Sequence, residues 1–178
     1  MVRRFGTCVT LLSVVVGIAS GAASAHVGHP GHAPGHGSHA GDAVVGHGTW
    51  LIGPSQGAGS INAMSGPNGE DPRGTMSISV LNPTSSSTFS ASVDCVRVIE
   101  NAALVTGTLE TPPPPFLPEV DRMAVYIEDR SALGLPDLIG FFFFSSGVFP
   151  HGCQELAFDF GRLISIPLHT GNFVVRDN

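Results

Sequence analysis

The sequence predicts an all-β protein, an antiparallel β-sandwich or small β-barrel of about eight strands behind a disordered N-terminal arm. Three observations carry that expectation. Short runs of alternating polar and apolar residues recur from the middle of the chain onward, turn-forming residues separate them roughly every 8 to 15 residues, and no stretch holds an apolar period of 3.6. Antiparallel pairing follows from the short connections, because parallel neighbours need long crossovers.

The 178-residue chain opens with Arg3 and Arg4, an apolar run at residues 9–18 (VTLLSVVVGI), and small residues ending in Ala23-Ser24-Ala25. This is the pattern of a secretory signal peptide over residues 1–25, cut after Ala25, and its apolar run is too short to span a bilayer. No second long apolar run follows, so the processed chain is expected to be secreted, extracellular or in the cell envelope, with no transmembrane segment. Cys8 precedes the apolar run, whereas a lipid-modified cysteine would follow it.

Residues 26–48 (HVGHPGHAPGHGSHAGDAVVGHG) are the expected disordered arm, rich in glycine and histidine with Asp42 as its one charged side chain. The elements of the expected β-domain, residues 49–178, follow in order. Trp50-Leu51-Ile52 is a short apolar run, and a glycine-rich stretch leads to residues 60–64. Residues 67–74 (PNGEDPRG) read as a turn. Residues 75–81 alternate, with Met76, Ile78 and Val80 on one face of a half-buried strand. The next run sets Phe89, Ala91, Val93 and Cys95 on one side and reverses at residues 99–102 into a hairpin with residues 103–109. Pro112 to Pro115 and Pro118 make a stiff connection that cannot donate to a sheet. Residues 122–128 alternate again, and the four phenylalanines of residues 137–144 put two rings on each face, so both faces must be covered. Residues 155–160, 162–168 and 172–176 read as closing strands, the last two joined by His169-Thr170-Gly171.

Composition narrows the function classes. Charged residues make up 12% and apolar residues 42%, which suits a packed core, and the chain has no lysine and a net charge of -6. No basic run exists to serve nucleic acid or an anionic membrane surface. Cys95 and Cys153 form an even pair outside the cytoplasm and predict a disulfide, whose loop of about 58 residues is worth about 4 kcal/mol in the chain-entropy account. Two separate buried thiols are the alternative; a cysteine-based metal site lacks the paired spacing that zinc requires.

The arm carries the main chemical signal. His26, His29, His32, His36, His39 and His47 recur on a glycine-rich backbone. Neutral imidazoles suit Zn(II), Cu(II) and Ni(II), and two to four of them can meet on one ion, weakly and with poor selectivity where nothing preorganises them. A solvated linker is the bland alternative. Cleavage after Ala25 would make His26 the amino terminus, whose amine and imidazole chelate copper together. A copper enzyme built this way also needs a rigid second histidine, and only His151 and His169 stand outside the arm. Cleavage after Ala23 would put His26 third, a spacing that suits square-planar Cu(II) or Ni(II).

Other motifs read more plainly. Gly53-Pro54-Ser55-Gln56-Gly57 matches the G-x-S-x-G string of hydrolases, but no helix pattern follows it. Asp129 and Asp137 flank a loop and invite a Ca(II) reading or a turn-capping one, the latter favoured. The phenylalanine tract fits core packing better than a ligand cavity.

Four segments in order, Gly48 to Ile52, Ile99 to Gly107, Val125 to Asp129 with Asp137-Leu138-Ile139, and Leu168 to Val175, resemble a domain found in many secreted bacterial proteins, alone or as the last module of surface proteins. The resemblance spans nearly the whole core and implies a compact β-fold and export, with no catalytic residues to carry over. The proline run, the phenylalanine tract and the histidine arm depart from it. The expected function is therefore non-enzymatic: the arm sequesters or buffers transition-metal ions on a β-scaffold. The rival is a surface interaction or small-ligand module in which the arm is a passive linker.

Overall fold

The computed structural model describes residues 41–66, 69–111, 119–148, 153 and 158–177. The expected signal segment, the proline run, His151 and five of the six N-terminal histidines (His26, His29, His32, His36 and His39) lie outside them. The all-β expectation holds. Among the described residues nine strands, β1 (Ala43–Ile52), β2 (Ser55–Met64), β3 (Arg73–Asn82), β4 (Ser85–Ile99), β5 (Ala102–Leu109), β6 (Arg122–Glu128), β7 (Leu138–Phe144), β8 (Ile166–Pro167) and β9 (Thr170–Arg176), form one antiparallel sheet. Its order is a meander from β1 to β8 with β9 added beside β1, and it curls into a half-barrel.

Period-two alternation gathers the apolar side chains on the inner face, where Val44, Trp50, Ile61, Met76, Ile78, Val105, Val125, Ile139 and Phe173 share one core. Each buried side chain of this kind contributes about 1.5–3 kcal/mol. Trp50 lies across Gly57, its partner on β2, and a Cβ there would collide with the indole. The phenylalanine tract divides as expected. Phe141 and Phe143 face inward, against Trp50 at 5.8 Å and Phe89 at 4.8 Å, while Phe142 and Phe144 face outward, 5.8 Å apart.

Four sequence expectations need correction. The irregular arm stops short of Gly48, because β1 begins at Ala43 and holds its register against both β2 and β9. Cys95 does not share a face with Phe89, Ala91 and Val93. A β-bulge between Val93 and Cys95 inserts one residue, so Val96 and Val98 return to the core while Cys95 turns outward. Residues 158–163 are not a strand but the short helix α1 (Phe158–Leu163). It lies on β6 and β7, where Gly161 comes so close to Tyr126 that a Cβ would sit 2.7 Å from the tyrosine Cβ. Finally, Thr170 and Gly171 belong to β9, which shortens its link from β8 to Leu168-His169.

The bulge makes the predicted disulfide possible. Cys95 bonds Cys153 with a Cα separation of 5.7 Å, and both sit in an outer cluster with Leu104, Ala124, Tyr126 and Phe144. β6 is consequently buried on both faces. Its polar ends are paired: Arg122 salt-bridges Asp94 and lies over the Phe144 ring, and Glu128 accepts the Tyr126 hydroxyl at 2.9 Å. Asp121 ties down the turn after β7, accepting the Ser146 hydroxyl at 2.6 Å and its N–H at 2.7 Å. Those bonds, the hydroxyl's first, hold the Asp121 carboxyl below the usual aspartate range.

The edges of the sheet meet where β8 passes into β9. Two residues carry the chain from one edge to the other, a span of at most about 11 Å. Asp137, 3% exposed, seals the seam. Its carboxylate accepts the Phe173 N–H of β9 at 2.7 Å and the Arg130 N–H at 2.9 Å, and its carbonyl accepts Leu168 N–H at 2.8 Å. Asp129 does the same for Val175 N–H at 3.4 Å and for Ser131 N–H at 3.0 Å. The loop carboxylates thus cap backbone donors, the turn-capping role expected of them.

Two predictions follow from these contacts. Asp137→Ala strands two N–H groups at the seam and should cost about 3 kcal/mol in chemical denaturation, more than Asp129→Ala. An NMR titration should place Asp121 below the free aspartate value. A depressed folded-state value means that its contribution to stability is complete above the unfolded value and lost as pH falls through the folded one, so Asp121→Asn should flatten the stability profile only in that acid range.

Candidate functional site

The outer face is two different surfaces. Over β4 to β7 it is covered by the disulfide-held cluster and α1. Over β9, β1, β2 and β3 the outward residues are exposed or half-buried and mostly small or hydroxylic. Register sets them in cross-strand rows: Asn172, His47, Ser60, Ser77 and Ser90 in one, and Thr170, Thr49, Ala58, Ser79 and Thr88 in the next. Hydroxyls bond along the second row, Thr49 with Thr170 at 2.7 Å and Ser79 with Thr88 at 2.9 Å. A shallow groove of about 470 Å³ runs between them, with Gly48, Gly59 and Gly171 in its lining. Exposed Val45 and Val174 bound this face toward one end and exposed Leu51 and Leu81 toward the other.

His47 is thus a strand residue whose exposed side chain stands between Ser60 and Asn172. It is the member of the six-histidine series that falls within the described residues. Among the described residues no group of three or more His, Cys, Asp or Glu side chains comes together. His169 is exposed in the link just before β9, with its N–H on the Thr49 carbonyl at 2.7 Å. Cys95 and Cys153 are joined, away from this face.

Backbone geometry holds the floor of the groove. Gly171 has φ +97°, and a Cβ there would strike the His47 carbonyl, so β9 and β1 can pair beneath the imidazole only with glycine at this point. A second, smaller recess of about 210 Å³ at the β4–β5 turn is lined by Glu100, Asn101, Tyr126, Glu128 and Arg162. There the Arg162 Nε lies 3.4 Å from the Glu128 carboxylate, which the Tyr126 hydroxyl already engages, an arrangement that satisfies itself. Ser55 of the G-x-S-x-G string begins β2 after a hairpin turn, and its hydroxyl donates to Asn82. That is a strand–turn–strand setting, unlike the strand-to-helix elbow that the hydrolase motif requires.

The hydroxyl rows were not singled out from the sequence. Their signal was present in Ser77, Ser79, Thr88, Ser90 and Ser92, which alternate against the core residues Met76, Ile78, Phe89 and Ala91. No protein-family model, no curated protein and no solved structure matches this chain. The site is therefore read from its residues alone.

Replacing Gly171 tests this reading of the floor. Gly171→Ala should cost about 2 kcal/mol or more in chemical denaturation, from the left-handed backbone and the collision with β1. Gly53→Ala, also at positive φ but with open space around it, should cost less.

Proposed function

We propose that this is an exported, non-enzymatic protein whose histidine-rich N-terminal segment binds Zn(II), Cu(II) or Ni(II), sequestering or buffering these ions outside the cell, with the β-domain as its scaffold. The observation that carries the reading is the series of six histidines within residues 26–47, whose last member stands exposed on β1. Imidazole-rich ligand sets favour these borderline metals over Mg(II) and Ca(II), which take oxygen ligands. Export is supported by the signal-like residues 1–25, by the Cys95–Cys153 disulfide, and by a described structure in which no helix is long and apolar enough to cross a membrane.

The rival reading, a surface interaction or small-ligand module, would use the hydroxyl-lined groove, and the two separate on truncation. The cut must fall before Asp42, because removal through Gly48 would take half of β1 with it. In calorimetric titration the processed chain should bind Ni(II), Cu(II) or Zn(II) at micromolar or tighter Kd, and a chain starting at Gly41 should lose at least about 30-fold. Binding no tighter than millimolar, or affinity unchanged by the truncation, would overturn the metal reading.

A further inference from the structure

We propose that the groove between the two hydroxyl rows binds an uncharged, extended β-linked glycan, which lies across the strands at about one sugar ring per strand. This goes beyond the metal-binding reading and does not depend on it, since every residue it uses belongs to the sheet.

Charge selects the class of ligand. The chain has 14 acidic and 8 basic side chains, yet none stands in the row from Asn172 to Ser90 or in the row from Thr170 to Thr88. An ionic ligand would lose water here without meeting a counter-charge, and a purely apolar one would strip water from hydroxyls that it cannot satisfy. The ligand that replaces this water carries many closely spaced groups that both donate and accept, and no charge. Serine and threonine hydroxyls act both ways, and so do the hydroxyls of a sugar. The Thr49–Thr170 and Ser79–Thr88 pairs each use one O–H group internally, which leaves the second O–H of each pair for a ligand. His47 and Asn172 add an imidazole and an amide to the first row.

Spacing selects the linkage. Neighbouring strands lie about 4.8 Å apart, so each row runs about 19 Å across its five strands, and the two rows, two residues apart on every strand, are separated by about 7 Å. One ring of an extended β-linked chain advances by close to the strand interval and carries hydroxyls along both of its edges. Such a chain, laid over the gap, keeps step with the strands and holds one edge above each row. An α-linked chain coils and falls out of step.

The shape of the face agrees. The groove of about 470 Å³ falls in the size range of ligand sites, and Ala58, the smallest side chain of the second row, keeps it open at the centre. Outside the first row Val45 and Val174, and outside the second Leu51 and Leu81, expose apolar surface to the C–H groups of the rings. Short side chains on paired strands have little rotamer freedom to lose on binding.

The experiment is calorimetric titration of the processed chain with cellohexaose, chitohexaose and maltohexaose, with EDTA present so that metal binding plays no part and either reading can fail alone. At least one of the two β-linked hexaoses should bind with a Kd of about 1 mM or tighter, and its disaccharide at least about tenfold more weakly. Maltohexaose, which is α-linked, should also bind at least about tenfold more weakly. The double variants Ser60→Val/Ser77→Val and Thr49→Val/Ser79→Val should each lose about tenfold or more in affinity with Tm unchanged or raised, because valine favours strands. Binding of neither β-linked hexaose, equal binding of maltohexaose, or affinity that survives in both double variants would overturn the inference.

Discussion

The fold depends on how its sheet closes, and one buried carboxylate carries that closure. A nine-stranded sheet that ended freely would leave one edge of β9 with unpaired N–H groups beside the core residues Phe173, Trp50 and Val44, an opening for solvent and for other strands. Asp137 occupies that edge from the start of β7, and its two oxygens take donors from two different segments. A carboxylate buried this deeply is tolerable only where donors of that kind satisfy it. The same closure lets the chain pass from β8 to β9 in two residues, so the last strand lies beside the first.

The bulge in β4 settles what the outer face can do. One extra residue at Asp94 sends Cys95 outward to meet Cys153, while Val96 and Val98 keep their places in the core. The covering it anchors hides the outer faces of β6 and β7, including Phe142 and Phe144, which could not face water as a pair. Nothing comparable covers β1, β2 and β3, where the outward residues of the two central rows are serine, threonine, alanine and His47, with Val45, Leu51 and Leu81 exposed toward the ends. A sheet with one face solvated is an ordinary antiparallel solution, and it leaves a flat polar surface next to the point where the N-terminal segment joins.

Much of this was legible in the sequence wherever alternation is regular. Met76 to Val80, Met123 to Ile127 and the four phenylalanines gave strands, faces and the need for a second covering, and two cysteines behind a signal-like segment gave the disulfide. Regularity also misled. The spacing of Phe89, Ala91, Val93 and Cys95 is uniform, and only the pairing with β5 reveals the inserted residue between the last two. Phe158-Asp159-Phe160 alternates like a strand, yet Gly161 permits a close approach to Tyr126 that a short helix makes. β1 was hidden for a different reason. Its inward positions include Gly46 and Gly48, which carry no apolar signal, and its partners on either side supply the reason to be extended. The groove beside His47 belongs to four strands at once, so no local pattern could announce it.

Placing His47 in a strand fixes its position by backbone alone. The register sets it between Ser60 and Asn172, and the left-handed Gly171 lets β9 and β1 pair beneath it. Serine, asparagine and threonine beside it offer hydrogen bonds and no carboxylate oxygen, so the surface around His47 is polar without being acidic. That character comes from outward positions of four strands brought side by side, which is why it belongs to the sheet and to no single segment.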